Sequence, residues 1–180
     1  VGPFVGYERS MLDADEAGLR NFAKLCVRTG TTTITDLASR MDDETVDTML
    51  RVTSELNYPV RLMPFRFFMG LSSKELIAAV LALKERSTDR LRMGQIKIVV
   101  DGSIQGFSAR LRWPGYHNEA PNGLWYIAPE HLSELLHLAL EAGLQVHTHT
   151  NGDQATQLVL EKLGPALQKH PNPDHRFTLQ

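Results

Sequence analysis

The residues able to do chemistry cluster in two short runs. Lys97 lies inside Gln95-Ile96-Lys97-Ile98-Val99-Val100, and two histidines alternate through Leu144-Gln145-Val146-His147-Thr148-His149-Thr150. Strand alternation puts Lys97 on the face opposite Ile96, Ile98 and Val100, and puts Gln145, His147 and His149 together. An ammonium in mid-strand is costly to bury alone, so Lys97 must be paired, deprotonated or modified. A lysine that snorkels at a sheet edge, or pairs with a carboxylate, meets the same demand. Histidines at i and i+2 sit roughly 7 Å apart and can share one pocket, where neutral imidazole is a common ligand for a divalent metal. Two satisfied histidines in a polar interior are the alternative. Asn151-Gly152-Asp153 follows at once, a tight turn that leaves His149 at the C-terminal rim of its strand, where parallel α/β folds carry active sites. Asp153 has two roles open to it, cap of the next helix or acceptor holding a histidine ring. Asp36 ends its strand much as Asp101 does. Arg66, Gln105, Arg110, Arg112 and Trp113 are further rim or loop candidates. His117, His131, His137 and His170 fall in loop or helix positions, and His175 fits either a rim or a structural role. There is no Ser-His-Asp spacing, Walker loop or Cys-x-x-Cys pair.

The elements that must position these residues alternate between two periodicities. Asp13 with Glu16 predicts a helix start, with Leu19, Phe22, Leu25 and Cys26 on its inner face and Gly30 as its stop. The β-branched run Thr31 to Leu37 predicts a strand. Asp42 or Asp43 can cap a helix carrying Val46, Met49, Leu50 and Leu56, broken by Asn57-Tyr58-Pro59. Val60 to Met69 reads as a strand, weakened at Pro64. Ser72 and Glu75 open a helix with Leu76, Ile77, Val80, Leu81 and Leu83 inward, ahead of the strand that holds Lys97. A long loop, Ser103 to Ala128, comes next; loops beyond roughly 15 residues are uncommon in compact domains and often functional. Pro129 starts a helix that Gly143 closes, and Leu144 to Thr150 is the histidine strand. The next helix runs from Gly152 to Leu163, ending near Gly164-Pro165, and Arg176 to Gln180 begins a last strand. Five strands separated by helices give the βαβ rhythm of a parallel sheet. Leu37-Ala38-Ser39-Arg40 is no phosphate-binding loop, which disfavours the open dinucleotide-binding architecture relative to a barrel.

The chain has 180 residues, 42% apolar and 22% charged, with a formal net charge of −2. That balance argues against binding nucleic acid or an anionic membrane, both of which select basic excess. Cys26 is the single cysteine, so no intrachain disulfide framework exists. No apolar run reaches the roughly 18 residues of a membrane span. No signal peptide is visible behind Val1-Gly2-Pro3, so a cytoplasmic location is expected.

In order along the chain come Lys97-Ile98-Val99-Val100-Asp101-Gly102-Ser103-Ile104-Gln105-Gly106, then His149-Thr150-Asn151-Gly152-Asp153, then His175-Arg176-Phe177-Thr178-Leu179-Gln180. This ordered set resembles the amidohydrolase superfamily, in particular its amidohydrolase-3, YtcJ-like branch. Gly30 to Leu37 and the loop from Trp113-Pro114-Gly115-Tyr116 through Pro121-Asn122-Gly123 fit the same branch. The resemblance implies an α/β fold, a partial (β/α)8 TIM barrel of about strands 2 to 6, with residues 1–180 a fragment of one barrel domain. It implies a metal-dependent hydrolase of amide or other C–N bonds. Lys97, carboxylated, and His149 are the implied metal ligands, with His147 assisting or lining the barrel, and Asp153 stands behind them. Zinc is the default metal, as one ion or two. Gln105, Arg110 and Trp113 are candidate contacts to a small-molecule substrate. The branch's strand-one His-x-His is expected before Val1, its strand-six histidine after Gln180, and its strand-eight aspartate further on. The chain alone is therefore expected to be inactive, and its open sheet edges to favour a homo-oligomer. Two rival functions stand beside this one. Lys97 can act as a Schiff-base nucleophile in a metal-free barrel enzyme, or the chain can be a non-catalytic assembly module.

Overall fold

A computed structural model describes residues 15–39 and 41–180. Ten elements alternate along it: α1 (Glu16–Arg28), β1 (Thr33–Ser39), α2 (Asp43–Thr53), β2 (Arg61–Phe67), α3 (Ser73–Glu85), β3 (Gln95–Val99), α4 (Pro129–Glu141), β4 (Gln145–His149), α5 (Asp153–Lys169) and β5 (Thr178–Leu179). The strands form one sheet in the order β1-β2-β3-β4-β5, and every neighbouring pair is parallel. Each strand is thus followed by a helix and then by its immediate neighbour. A doubly wound sheet reverses its strand order at a switch point; this sheet does not.

The caps explain the helix starts. Asp42 accepts from the Thr45 N–H at α2, and Ser72 and Glu75 form a reciprocal capping box at α3. Asp15 caps α1 through the Gly18 N–H; the expected cap, Asp13, lies outside the described residues. Pro129 occupies the first turn of α4, where its missing N–H costs nothing.

The main core lies on one face of the sheet. Ile96, Ile98, Val100 and Val146 pack there against Leu76 and Val80 of α3, Leu132, Leu135, Leu136 and Ala139 of α4, and Ala155 and Val159 of α5. Alternation then commits Lys97, His147 and His149 to the opposite face.

Four expectations need correction. Phe22 and Leu25 of α1 are exposed, and Ala23 and Cys26 are its buried pair. α2 stops at Thr53, leaving Leu56 beyond it in solvent, and Leu81 of α3 is also exposed. α5 does not end at Gly164-Pro165 but continues to Lys169. Ala166 is buried in the main core and Leu167 packs against it, so tertiary burial outweighs the one backbone bond that Pro165 forgoes. Pro64 is accommodated within β2 opposite Asp36, and the β1–β2 register shifts between Asp36 and Ser39, as a strand lacking one N–H permits.

Candidate functional site

β3 and β4 set the site. Their register pairs Lys97 with His147 and Val99 with His149. In parallel strands such partners point to the same side, so the lysine and both histidines share one face across two adjacent strands. Phe67 of β2 lies beside Lys97, and Thr178 of β5 beside His147.

Lys97 is 5% exposed. Its Nζ donates to the Gln180 side-chain carbonyl oxygen, a neutral acceptor, and burial holds its pKa below the ordinary lysine value. The need for a partner is thereby met by an amide and not by a carboxylate. The His147 ring packs against Phe65 in a tilted arrangement, with ring centroids 4.5 Å apart. Its Nδ1 is buried and, among the described residues, without a hydrogen-bond partner. Burial, with the nearby Lys97 charge second, lowers the imidazole pKa. His149 lies at the strand end, its Nε2 3.0 Å from the Asn151 Nδ2.

The rim around His149 is organised by Asp101, two residues beyond the end of β3. Its carboxylate is wholly buried and accepts three backbone N–H groups, from Arg110 at 2.8 Å, Asn151 at 2.9 Å and Gly152 at 2.8 Å. Two of those donors belong to the turn entering α5, the third to the long loop after β3. The loop is therefore tied to the histidine turn. Gly152 permits the contact, since a Cβ there would lie 1.9 Å from the Arg110 carbonyl oxygen. Asp153 adds a second tie, accepting from the Arg112 N–H at 2.9 Å. The side chain that meets the His149 ring is Asn151, while Asp153 engages the loop. The Asp-Gly at the end of β3 and the Asn-Gly-Asp after β4 were the sequence signals for this junction.

Of the proposed substrate contacts, Arg110 is occupied inside the loop. It donates to the Gly123 carbonyl at 2.9 Å and lies over the Trp125 ring at 4.6 Å. Gln105 is exposed, and Trp113 is 95% exposed. Arg66 donates to the Phe67 carbonyl, and His175 Nδ1 accepts from the Phe177 N–H. A cavity of about 390 Å³ lies at the other end of the strands, against Gln95 and Gln145, and includes neither Lys97 nor the two histidines.

As a metal site this face is partial. Among the described residues no group of three His, Cys, Asp or Glu side chains converges on one point. The donors present are the two imidazoles and, once its charge is removed, Lys97. Among the described residues His147 Nδ1 is orphaned and Lys97 has no countercharge, which suits an electrophile bound between them, and the remainder of a tetrahedral shell needs further donors.

The sequence model of the amidohydrolase family matches residues 5–180. The chain belongs to that family. The resemblance carried by the Lys97, His149 and His175 runs is thereby confirmed. Among amidohydrolase relatives, YtcJ of Bacillus subtilis (strain 168) is 34% identical over 89 residues, 49% of this chain and 16% of that protein. The protein LONG AFTER FAR-RED 3 of Arabidopsis thaliana is 32% identical over 91 residues, 50% of this chain and 15% of the relative. Two solved structures share the fold. A metal-dependent hydrolase from Pyrococcus furiosus superposes with a TM-score of 0.65 at 18% identity, covering 84% of this chain and 31% of that one. Its counterpart from Pyrococcus horikoshii OT3 gives 0.64 at 15% identity with the same coverage. The chain thus spans about a sixth of the length of these two curated relatives and under a third of these two solved chains. No helix among the described residues is long and apolar enough to cross a membrane.

Proposed function

We propose that these residues form one part of the (β/α)8 barrel of a metal-dependent hydrolase that cleaves amide or related C–N bonds. The observation that carries this reading is the buried Lys97, lacking a carboxylate partner among the described residues, on one face with His147 and His149 in a chain of the amidohydrolase family. The sequential parallel order supports the barrel, because a barrel wall is wound in one direction. The metal-dependent hydrolases of similar fold support the cofactor.

Lys97 and His149 would hold the metal, zinc by default, with His147 beside them. A bound divalent metal supplies a Lewis acid and lowers the pKa of water for attack at neutral pH. Burial prepares Lys97 for its part. A carbamate forms when a neutral amine adds to carbon dioxide, the new N–C bond replacing one C=O π bond while an amine proton is released to water, and the lowered lysine pKa raises the neutral fraction. The product is anionic, so it replaces a costly buried cation with an oxygen donor. Asp101, Asp153 and Arg110 hold the long loop in place over the rim, leaving Gln105 and Trp113 free to meet a small-molecule substrate. Since most of the ligand shell must come from other residues, the 180-residue chain by itself is expected to turn over no substrate.

The same neutral amine supports one rival. A desolvated lysine also forms a Schiff base with a carbonyl substrate. The two readings separate in one experiment on a longer polypeptide that carries these residues. Hydrolysis of a panel of N-acyl and cyclic amides is measured with Zn²⁺ and bicarbonate, beside the Lys97→Ala and His149→Ala variants. Metal-dependent release of amine, reduced at least about 100-fold in both variants, is the expected result. Metal-free turnover with borohydride trapping at Lys97 would sink the hydrolase reading in favour of the Schiff base.

A further inference from the structure

We propose that Asp101 and Asn151 are positioning residues that hold the His149 ring as its Nδ1–H tautomer, with the Nε2 lone pair engaged by the Asn151 amide. The assignment follows from donors and acceptors. Asn151 Nδ2 lies 2.8 Å from the Gly102 carbonyl oxygen, and a carbonyl only accepts, so the amide must present its NH₂ edge there. The same nitrogen is 3.0 Å from His149 Nε2. An NH₂ group only donates, so Nε2 is the acceptor and the proton of the neutral ring sits on Nδ1.

The amide has little freedom to turn otherwise. The Asn151 N–H is held on one oxygen of Asp101, and the Gly152 N–H on the other. That carboxylate is wholly buried at the end of β3 and also holds the loop through Arg110. Rotating the Asn151 amide to present its oxygen to the ring would sacrifice the bond to Gly102. Asp101 therefore acts on the ring through Asn151, across a strand pair and a turn.

This has a consequence for metal loading, which rests on the hydrolase reading above. His149 offers Nε2 to a metal only when Asn151 gives it up. It offers Nδ1 only when the ring proton moves to Nε2, which in turn requires an acceptor where Asn151 now donates. Asn151 is thus a gate on the ligand, and its identity selects which nitrogen is presented.

The tautomer can be read directly from long-range ¹H–¹⁵N correlation spectra of the full 180-residue chain, at a pH where imidazole is neutral, with His149 identified by its loss in His149→Gln. The expected pattern is an NH-type Nδ1 and an acceptor-type Nε2. Asn151→Asp replaces a donor with an acceptor and is expected to invert the pattern. Asn151→Ala is expected to relax it toward the Nε2–H form that free imidazole prefers. Because the Asn151 side chain is exposed, both variants should keep a dispersed amide spectrum, and either one suffices if the other does not fold. An Nε2–H ring in the unaltered chain, or a ring unchanged in the folded variants, overturns the proposal. Adding Zn²⁺ to a longer polypeptide that carries these residues together with the remaining ligands separates the two readings. There, the expected tautomer before Zn²⁺ with no Zn²⁺-induced change at His149 supports the positioning role and counts against His149 as a ligand.

Discussion

His147 is the residue whose surroundings make the clearest demand. Its Nδ1 has no partner among the described residues, its ring packs tilted against Phe65, and its pKa is lowered by burial and by Lys97. A base whose pKa is lower folded than unfolded binds fewer protons in the native state across the interval between the two values. Stability therefore rises with pH through that interval and is lost as pH falls below the ordinary imidazole value of 6.5. The urea midpoint of the chain is expected to fall between about pH 7 and about pH 5, the range in which histidine charges. The drop should be smaller in His147→Gln, which cannot titrate; an equal drop in both would place the acid sensitivity elsewhere. Lys97 follows the same sign in a more alkaline interval, since burial lowers its pKa also.

At the scale of elements, the junction of β3, the long loop and α5 depends on one close approach and one carboxylate. Gly152 has ordinary backbone angles, φ −85° and ψ 146°, so its requirement is space and not conformation. Gly152→Ala is expected to cost about 1–3 kcal/mol by overpacking, measured by urea unfolding. Loss of hydrogen-exchange protection should concentrate at Arg110, Arg112 and Gln154, whose N–H groups make the loop contacts. Asp101→Ala strands three N–H donors, that of Gly152 buried and those of Arg110 and Asn151 part-buried, and is expected to cost about 2 kcal/mol or more, since each unsatisfied buried group costs roughly 1–3 kcal/mol. A cost under about 1 kcal/mol for either variant would mean that the loop is docked by other contacts.

For the whole molecule, the sheet order leaves β1 and β5 as end strands among the described residues. Unpaired strand edges template pairing with another chain. The 180-residue chain is therefore expected to self-associate as its concentration rises, read as a growing sedimentation coefficient. Thr35 is exposed in β1, and Thr35→Lys should weaken the association by placing a charge at that edge. Identical sedimentation of the two chains would show that the β1 edge takes no part.

The sequence by itself determined the order of the elements, the parallel sheet and the common face of Lys97, His147 and His149. Those features follow from local periodicity, since side chains alternate across any strand and apolar residues select the helix-facing side. It also carried the family, through motifs that occur as contiguous runs. The long loop was legible from its composition, and its anchor was not. Asp101 meets Asn151 across 50 positions, and Lys97 meets Gln180 across 83; such pairs exist only once strand register brings distant segments together. The extension of α5 through Pro165 was likewise decided by burial of Ala166 against the core. Residue type marked which groups can do chemistry, and tertiary structure decided which neighbour each one meets, because a hydrogen bond is set by position in space and not by separation along the chain.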